Sequence, residues 1–158
     1  MRDETATYTR ELSWILEQIC VSLKDMTGPQ LNHRPATGSA NSAYAIASHV
    51  LGVTRVYVLG FGCGHRVTRD RPAEFSAIGD DAGKLIERLD ALAAEIRTAL
   101  AALTPAQLDH RFIPSRELWG TGEIHEISAR DALVHAIRHA ALHLGELRLT
   151  RDLARKEE

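Results

Sequence analysis

Three histidines at steps of four lie in the stretch HAIRHAALHLGEL, residues 135–147: His135, His139 and His143. Alanine and leucine recur between them at helical spacing, which predicts a helix. On a helix, each step of four residues turns the side chain by only about 40° around the axis. His139 and His143 can therefore reach one metal ion from adjacent turns, whereas His135 lies a turn too far from His143 to share that ion.

The same helical period recurs along the chain and predicts three further long helices. The first spans Tyr8 to Leu23 and the second runs from Ala43 to about Phe61, capped by Asn41 or Ser42. The third follows a cap at Asp80 or Asp81 and carries a heptad-like apolar series to Leu103. The last helix is expected to start at a Ser128 cap, with Asp131 as its capping-box partner, and to reach about Ala154.

The connections are predicted to be longer than simple turns. Residues 28–42 and 62–80 are polar or glycine-rich and are expected to be loops. Thr104-Pro105 predicts a short helical turn, and residues 109–126 are irregular, with a short extended pair around RFIP and GEIHEI. We expect residues 1–158 to form one all-α domain, an up-and-down four-helix bundle with some longer connections.

The second helix is unusually apolar. Between Ser42 and Gly64 the only formal charge is that of Arg55, and His49 is the one titratable group on its side. A helix that is apolar nearly all round must be buried nearly all round. We expect its face away from His49, which carries Ile46, Leu51, Val58 and Leu59, to form a homodimer interface. The alternative is that loop 62–80 folds over this face.

A histidine on an apolar face usually forms a hydrogen bond in the core, and a stripe of histidines can simply be solvated. Here both features occur on two helices of one predicted bundle, where inward-facing side chains build metal sites. The sequence therefore indicates a metal site formed by His49, His139 and His143.

Composition excludes several other classes of protein. The net charge is −2 and the basic residues are scattered, so nucleic acid is not an expected partner. The polar N-terminal stretch is not expected to be a signal peptide, and no apolar run reaches the roughly 18 residues of a membrane span. Two cysteines, Cys20 and Cys63, make no disulfide framework. We expect a cytoplasmic protein.

The chain resembles the DinB superfamily of bacterial four-helix-bundle proteins in three stretches, LNHRPATGSANSAYAIASHVLG, RDRPAEF and DALVHAIRHAALHLGELRLTRDL. The matching residues are Pro35, Asn41, Ser42, His49, His139, His143 and Gly145. The resemblance implies a three-histidine metal site and, for some members, transfer of a thiol such as bacillithiol or mycothiol. Leu144-Gly145-Glu146 stands where many members have Arg-Gly-Gln, and Leu142 where a histidine is common.

Three neutral imidazoles leave a divalent cation, zinc or nickel being expected, with an open position that suits catalysis. The resemblance favours transfer of a low-molecular-weight thiol to an electrophile. A hydrolase on the same site and a non-catalytic metal-binding or stress protein are the alternatives.

Two further groups are candidate site residues. Glu146 is expected to orient a ligating imidazole, act as a base or add a ligand, unless it is a surface residue paired with an arginine. Arg66 and Arg69, part of a basic group with Arg71, are candidates for binding a carboxylate-bearing thiol unless they belong to a solvated loop.

Overall fold

The computed structural model describes residues 2–36 and 38–156, and it confirms the all-α bundle. The four long helices are α1 (Arg2–Leu23), α3 (Ala43–Thr54), α5 (Gly83–Ala101) and α7 (Ala129–Lys156). α3 continues without a break as a π-helix over Arg55–Gly62, so that helix two extends as far as its apolar pattern predicts. Buried side chains of all four long helices belong to one core cluster.

The helix starts follow the local capping chemistry. Ser42 Oγ accepts a hydrogen bond from the N–H of Ala45 at 3.2 Å, which starts α3. Ser128 and Asp131 form the predicted capping box, with reciprocal bonds of 2.8 and 3.1 Å at the start of α7. The cap position of α5 is Ala82 rather than an aspartate.

The connections contain more structure than the sequence predicted. Residues 28–42 begin with the short helix α2 (Gly28–Asn32), and residues 62–80 contain α4 (Arg71–Ser76), capped by Asp70. The predicted turn after Thr104 is α6 (Pro105–Asp109). The extended pair is short: β1 (Arg111–Phe112) lies antiparallel to β2 (Ile127–Ser128). The loop predictions for 28–42 and 62–80 are therefore wrong where α2 and α4 lie.

Ion pairs and hydrogen bonds reveal the direction of the helices. Arg130 Nε donates to Glu4 at 2.6 Å, and Arg148 donates to Gln18 at 2.7 Å. In both contacts a residue nearer the start of α7 meets a residue nearer the start of α1, and a later residue meets a later one. α1 and α7 therefore run parallel.

α3 and α5 also run parallel. Gly79, just before α5, packs on the ring of Tyr44 at the start of α3. Further along both helices, Arg55 donates to Glu95 at 3.0 Å. Cys20 of α1 contacts Asp90 of α5, and Gly28, after α1, lies against Asp80, before α5, so these two helices run antiparallel. The bundle therefore runs up, down, down, up, and the predicted up-and-down order is wrong. Because parallel neighbours need a crossover, the connection 63–82 must return along the bundle, and it carries α4 against α3.

The apolar face of helix two is already covered within one chain. Ile46, Leu51, Val58 and Leu59 are each at most 8% exposed. The connection 62–80 packs on the same helix, with Val67 against Gly60. The stated reason for a dimer through helix two is therefore wrong, while the homodimer itself stays a prediction. The large exposed apolar side chains of the long helices lie instead on α1 and α7: Trp14, Val21, Val134, Leu142 and Leu149.

The same burial explains the hydropathy of this helix. The expectation that no apolar run has the length of a membrane span is wrong for residues 43–62, which are long and apolar enough by length and composition. Of the apolar window in this helix, 83% is buried inside the protein. A core helix of a bundle has these properties.

Gly52 provides a test of the contact between α3 and α4. A Cβ at this position would overlap the Glu74 carboxylate, whereas a Cβ at Gly145 on α7 would meet open space. Alanine normally stabilises a helix interior by about 0.5–1 kcal/mol relative to glycine. We expect Gly145→Ala to gain that amount and Gly52→Ala to lose roughly 1–3 kcal/mol, as for overpacking. Urea unfolding of the metal-free proteins measures both, and equal gains would contradict the close contact.

Candidate metal centre

Three histidines from two helices meet in the bundle. His49 comes from α3, and His139 and His143 come from α7; one ring nitrogen of each lies within 4.8 Å of the others. The Nε2 atoms of His49 and His139 are 3.1 Å apart. A tetrahedral ion with bonds of about 2.0–2.1 Å needs ligand nitrogens roughly 3.3 Å apart. Small side-chain movements therefore suffice for this group to hold a divalent metal.

His49 is fixed from behind by a carboxylate. Its side chain is buried, and its Nδ1–H donates to Glu74 Oε2 at 2.8 Å. Glu74 lies on α4 and in turn accepts two hydrogen bonds from Arg69, each 2.8 Å long. A carboxylate on the outer nitrogen of a histidine sets the tautomer, so that the Nε2 lone pair of His49 points into the group.

Glu74 is held in its ionised form. Burial by itself would raise the pKa of this carboxyl group, but hydrogen bonds from Arg69 and His49 outweigh burial and lower the pKa. Both side chains of the ion pair are nearly inaccessible, at 3% exposure for Arg69 and 8% for Glu74. The pair therefore forms a neutral support behind His49.

His143 has a similar support from its own helix. Its Nδ1–H donates to Glu146 Oε2 at 2.6 Å, between residues three apart on α7. This pair lies nearer to solvent, with exposures of 25% and 40%. The contact matches the orienting role expected for Glu146; its roles as a base or a ligand stay predictions.

His139 is oriented by packing rather than by a carboxylate. Its Nδ1 is buried and, within the described residues, has no hydrogen-bond partner. Its ring packs on that of His143, with centroids 4.4 Å apart. Burial, followed by the charges of His143 and His49, lowers the pKa of His139 to about 3. The ring is therefore neutral at ordinary pH, which is the form that binds metal.

His135 lies outside the group of three. Its ring stacks on Tyr57 of the π-helix at 4.1 Å and more loosely on His139 at 5.8 Å. The guanidinium of Arg138 donates to its Nδ1 at 3.2 Å. Burial, followed by the charge of Arg138, lowers the pKa of His135, which keeps this ring neutral too.

A cleft of about 780 Å³ opens beside the histidines. His49, His139 and His135 lie on its wall, and Trp119 and His125 face them from the connection between β1 and β2. A small molecule can therefore reach the centre from solvent along aromatic side chains.

A protein-family model described as the DinB superfamily matches residues 12–147. The chain belongs to the DinB superfamily. A comparison with curated proteins finds no match.

Of the two basic side chains that the sequence singled out in this DinB protein, Arg66 lies apart from the three histidines, whereas Arg69 lines the same cleft and is linked to His49 through Glu74. Arg66 is exposed and does not line the cleft, and the guanidinium of Arg69 is committed to Glu74. Binding of an anion by these two residues stays a prediction. Cys63 lines a separate pocket with Phe61 and Phe112, and burial raises the pKa of its thiol to about 11.

The residue that sequence reasoning missed is Glu74. It lies in the stretch RDRPAEF, already matched to the DinB superfamily. Asp70 followed by Pro72 is a recognisable helix start and could have predicted α4. The contact with His49, 25 residues earlier in the chain, is a tertiary one and leaves no local signal.

The ligands can be tested by substitution. We expect His49→Ala, His139→Ala and His143→Ala each to abolish tight binding of zinc or nickel, since two imidazoles hold such ions weakly. His135→Ala should reduce binding far less, and the exposed His65→Ala is the control. Metal content after dialysis measures all five proteins. Loss of metal from His135→Ala with retention in His143→Ala would contradict this ligand set.

The low pKa of His139 predicts a pH-dependent stability of the metal-free protein. Between pH 6.5 and about 3 the unfolded state binds a proton at this residue and the folded state does not, so stability falls as pH falls. The contribution is on the order of 2–4 kcal/mol after allowance for solvent screening. Urea unfolding across this range should show a flatter profile for His139→Leu than for the unmodified chain or His65→Ala. Identical profiles would show that His139 titrates alike in both states.

Proposed function

We propose that this DinB superfamily protein is a metal-dependent transferase that activates a low-molecular-weight thiol for attack on an electrophile. The observation that carries the proposal is the convergence of three imidazole nitrogens within 4.8 Å, two of which belong to His49 and His139 on the wall of an open cleft. A site that only stored or buried a metal would not need a cleft of this size.

The residues of the site can supply the separate roles that such a reaction needs, which are metal binding, orientation of the ligands, proton acceptance and binding of the electrophile. A divalent cation held by His49, His139 and His143 would supply an open position at which the pKa of a thiol is lowered. Glu74 keeps the imidazole of His49 in one tautomer. Glu146 accepts the Nδ1–H of His143, and its partly exposed carboxylate is available as a proton acceptor. Trp119 and Tyr57 give an apolar wall for the electrophile.

Thiol consumption tests the proposal directly. A panel of cysteine, glutathione, bacillithiol and mycothiol is offered with 1-chloro-2,4-dinitrobenzene, with metal-free protein and after addition of zinc or nickel. We expect one thiol to react at a metal-dependent rate that falls at least about 100-fold in His143→Ala, the size typical of a lost site group. The His65→Ala variant should keep the full rate.

The same proteins distinguish the alternatives. Metal-dependent hydrolysis of p-nitrophenyl acetate without thiol consumption would replace the transferase by a hydrolase. Tight metal binding with neither activity would leave a non-catalytic metal-binding protein.

A further inference from the structure

Four arginines line the cleft beside the histidines, and they differ in whether a carboxylate pairs with them. They are Arg69, Arg71, Arg130 and Arg138. Arg69 is paired with Glu74, and Arg130 is paired with Glu4 and Asp109. Arg71 and Arg138 make no ion pair with any acidic side chain in residues 4–36 and 38–156. Of the two acidic side chains of the lining, Glu126 is paired with Arg111, whereas Asp131 accepts a hydrogen bond from the neutral hydroxyl of Ser128 and keeps its negative charge. Arg71 and Arg138 are therefore the two cationic side chains of the lining without a carboxylate partner among the described residues.

Both free arginines are nevertheless held in place, and in each case by a neutral ring. The guanidinium of Arg71 lies 4.9 Å above the ring centroid of Phe75. The guanidinium of Arg138 donates to Nδ1 of His135, which must be unprotonated to accept. A neutral anchor orients a guanidinium without neutralising it, so its charge and its remaining donors stay available to a ligand.

Each anchoring ring also packs on one histidine of the candidate metal centre. Phe75 packs on His49 with centroids 4.5 Å apart, so Arg71 is separated from that histidine by one ring. His135 packs on His139 at 5.8 Å, so Arg138 is likewise one ring away from its histidine. One arginine comes from α4 and the other from α7, and both line the cleft.

We propose that Arg71 and Arg138 form an oxyanion subsite that binds a small organic acid, through its carboxylate or phosphate group, with its body along Trp119. Such a subsite would make small organic acids the substrate class of the proposed transferase. This assignment of a substrate rests on the proposed function, whereas anion binding itself does not. Guanidinium groups bind such oxyanions by paired, charge-assisted hydrogen bonds.

Binding is tested on the metal-free protein by the fluorescence of Trp119. The chain has two tryptophans, and Trp14 lies exposed on α1, so a Trp14→Phe background isolates the signal from the cleft. The probes are benzoate, isophthalate and phenyl phosphate, with neutral benzamide as the matched control. We expect saturable binding of an anionic probe and at least tenfold weaker binding of benzamide, about the effect of one charge-assisted contact.

Substitutions assign the binding to the two arginines. Arg71→Gln and Arg138→Gln should each weaken anion binding about tenfold, while Arg97→Gln on the exposed face of α5 should leave it unchanged. Circular dichroism checks that each variant is folded, and Arg138→Lys, which keeps the charge, should show an intermediate loss. Equal binding in all variants, equal binding of benzamide, or no saturation below about 10 mM would overturn the subsite.

The use of metal-free protein separates this proposal from the proposed function. Arginine-dependent anion binding without metal-dependent thiol transfer would retain the subsite and reject the transferase. Thiol transfer that is unaffected by Arg71→Gln and Arg138→Gln, in a protein that binds none of the anions, would do the reverse.

Discussion

A buried carboxylate holds the candidate metal centre together. An unpaired charge in the position of Glu74, which is 8% exposed, would cost several kcal/mol. Two hydrogen bonds from Arg69 and one from His49 offset that cost. The same bonds fix the ring of His49. The packing of α4 on α3 therefore also orients this histidine toward the other two. Loss of any member would leave the others as buried polar groups without their partners.

This contact depends on the order of the helices. α3 and α5 run parallel, so the chain must return along the bundle before α5 can begin, and α4 forms on that return path. Gly52 then lets the carboxylate of Glu74 approach the helix closely enough to reach His49. A bundle with alternating directions would join the two helices by a short turn. It would have no segment to place an acidic group behind this histidine.

The sequence predicted the features that depend on residues close together along the chain, namely the long helices and two of their caps. The apolar period and the caps at Ser42 and Ser128 were sufficient for the helices, because each depends on neighbours within four residues. His49 could be associated with His139 and His143 because a lone titratable group on an apolar helix and a four-spaced pair both call for an inward-facing partner.

Direction and long-range contacts could not be predicted in this way. A helical period is the same whichever way the helix runs, so the parallel order of α3 and α5 was missed. Burial of Leu51 and Val58 was correctly expected, but the covering surface was assigned to a second copy. Which part of helix two the connection 62–80 covers depends on the path of that connection over the bundle. Amino-acid composition does not predict this path. Glu74 was missed for the same reason.

The third histidine of the stretch 135–147 differs from its neighbours because of helix geometry. Two steps of four residues rotate it by about 80° from His143, too far to share one ion, but only about 40° from His139. From there it packs on His139 with one face and on Tyr57 with the other, while its Nδ1 accepts from Arg138. Phe75 of α4 has the equivalent position between His49 and Arg71. Near the centre Arg69 neutralises Glu74, whereas further out both anchors are neutral and both arginines keep their charge. The proposed oxyanion subsite therefore uses the arginines that neutral rings hold, and not the guanidinium of Arg69 that is paired with Glu74 behind His49.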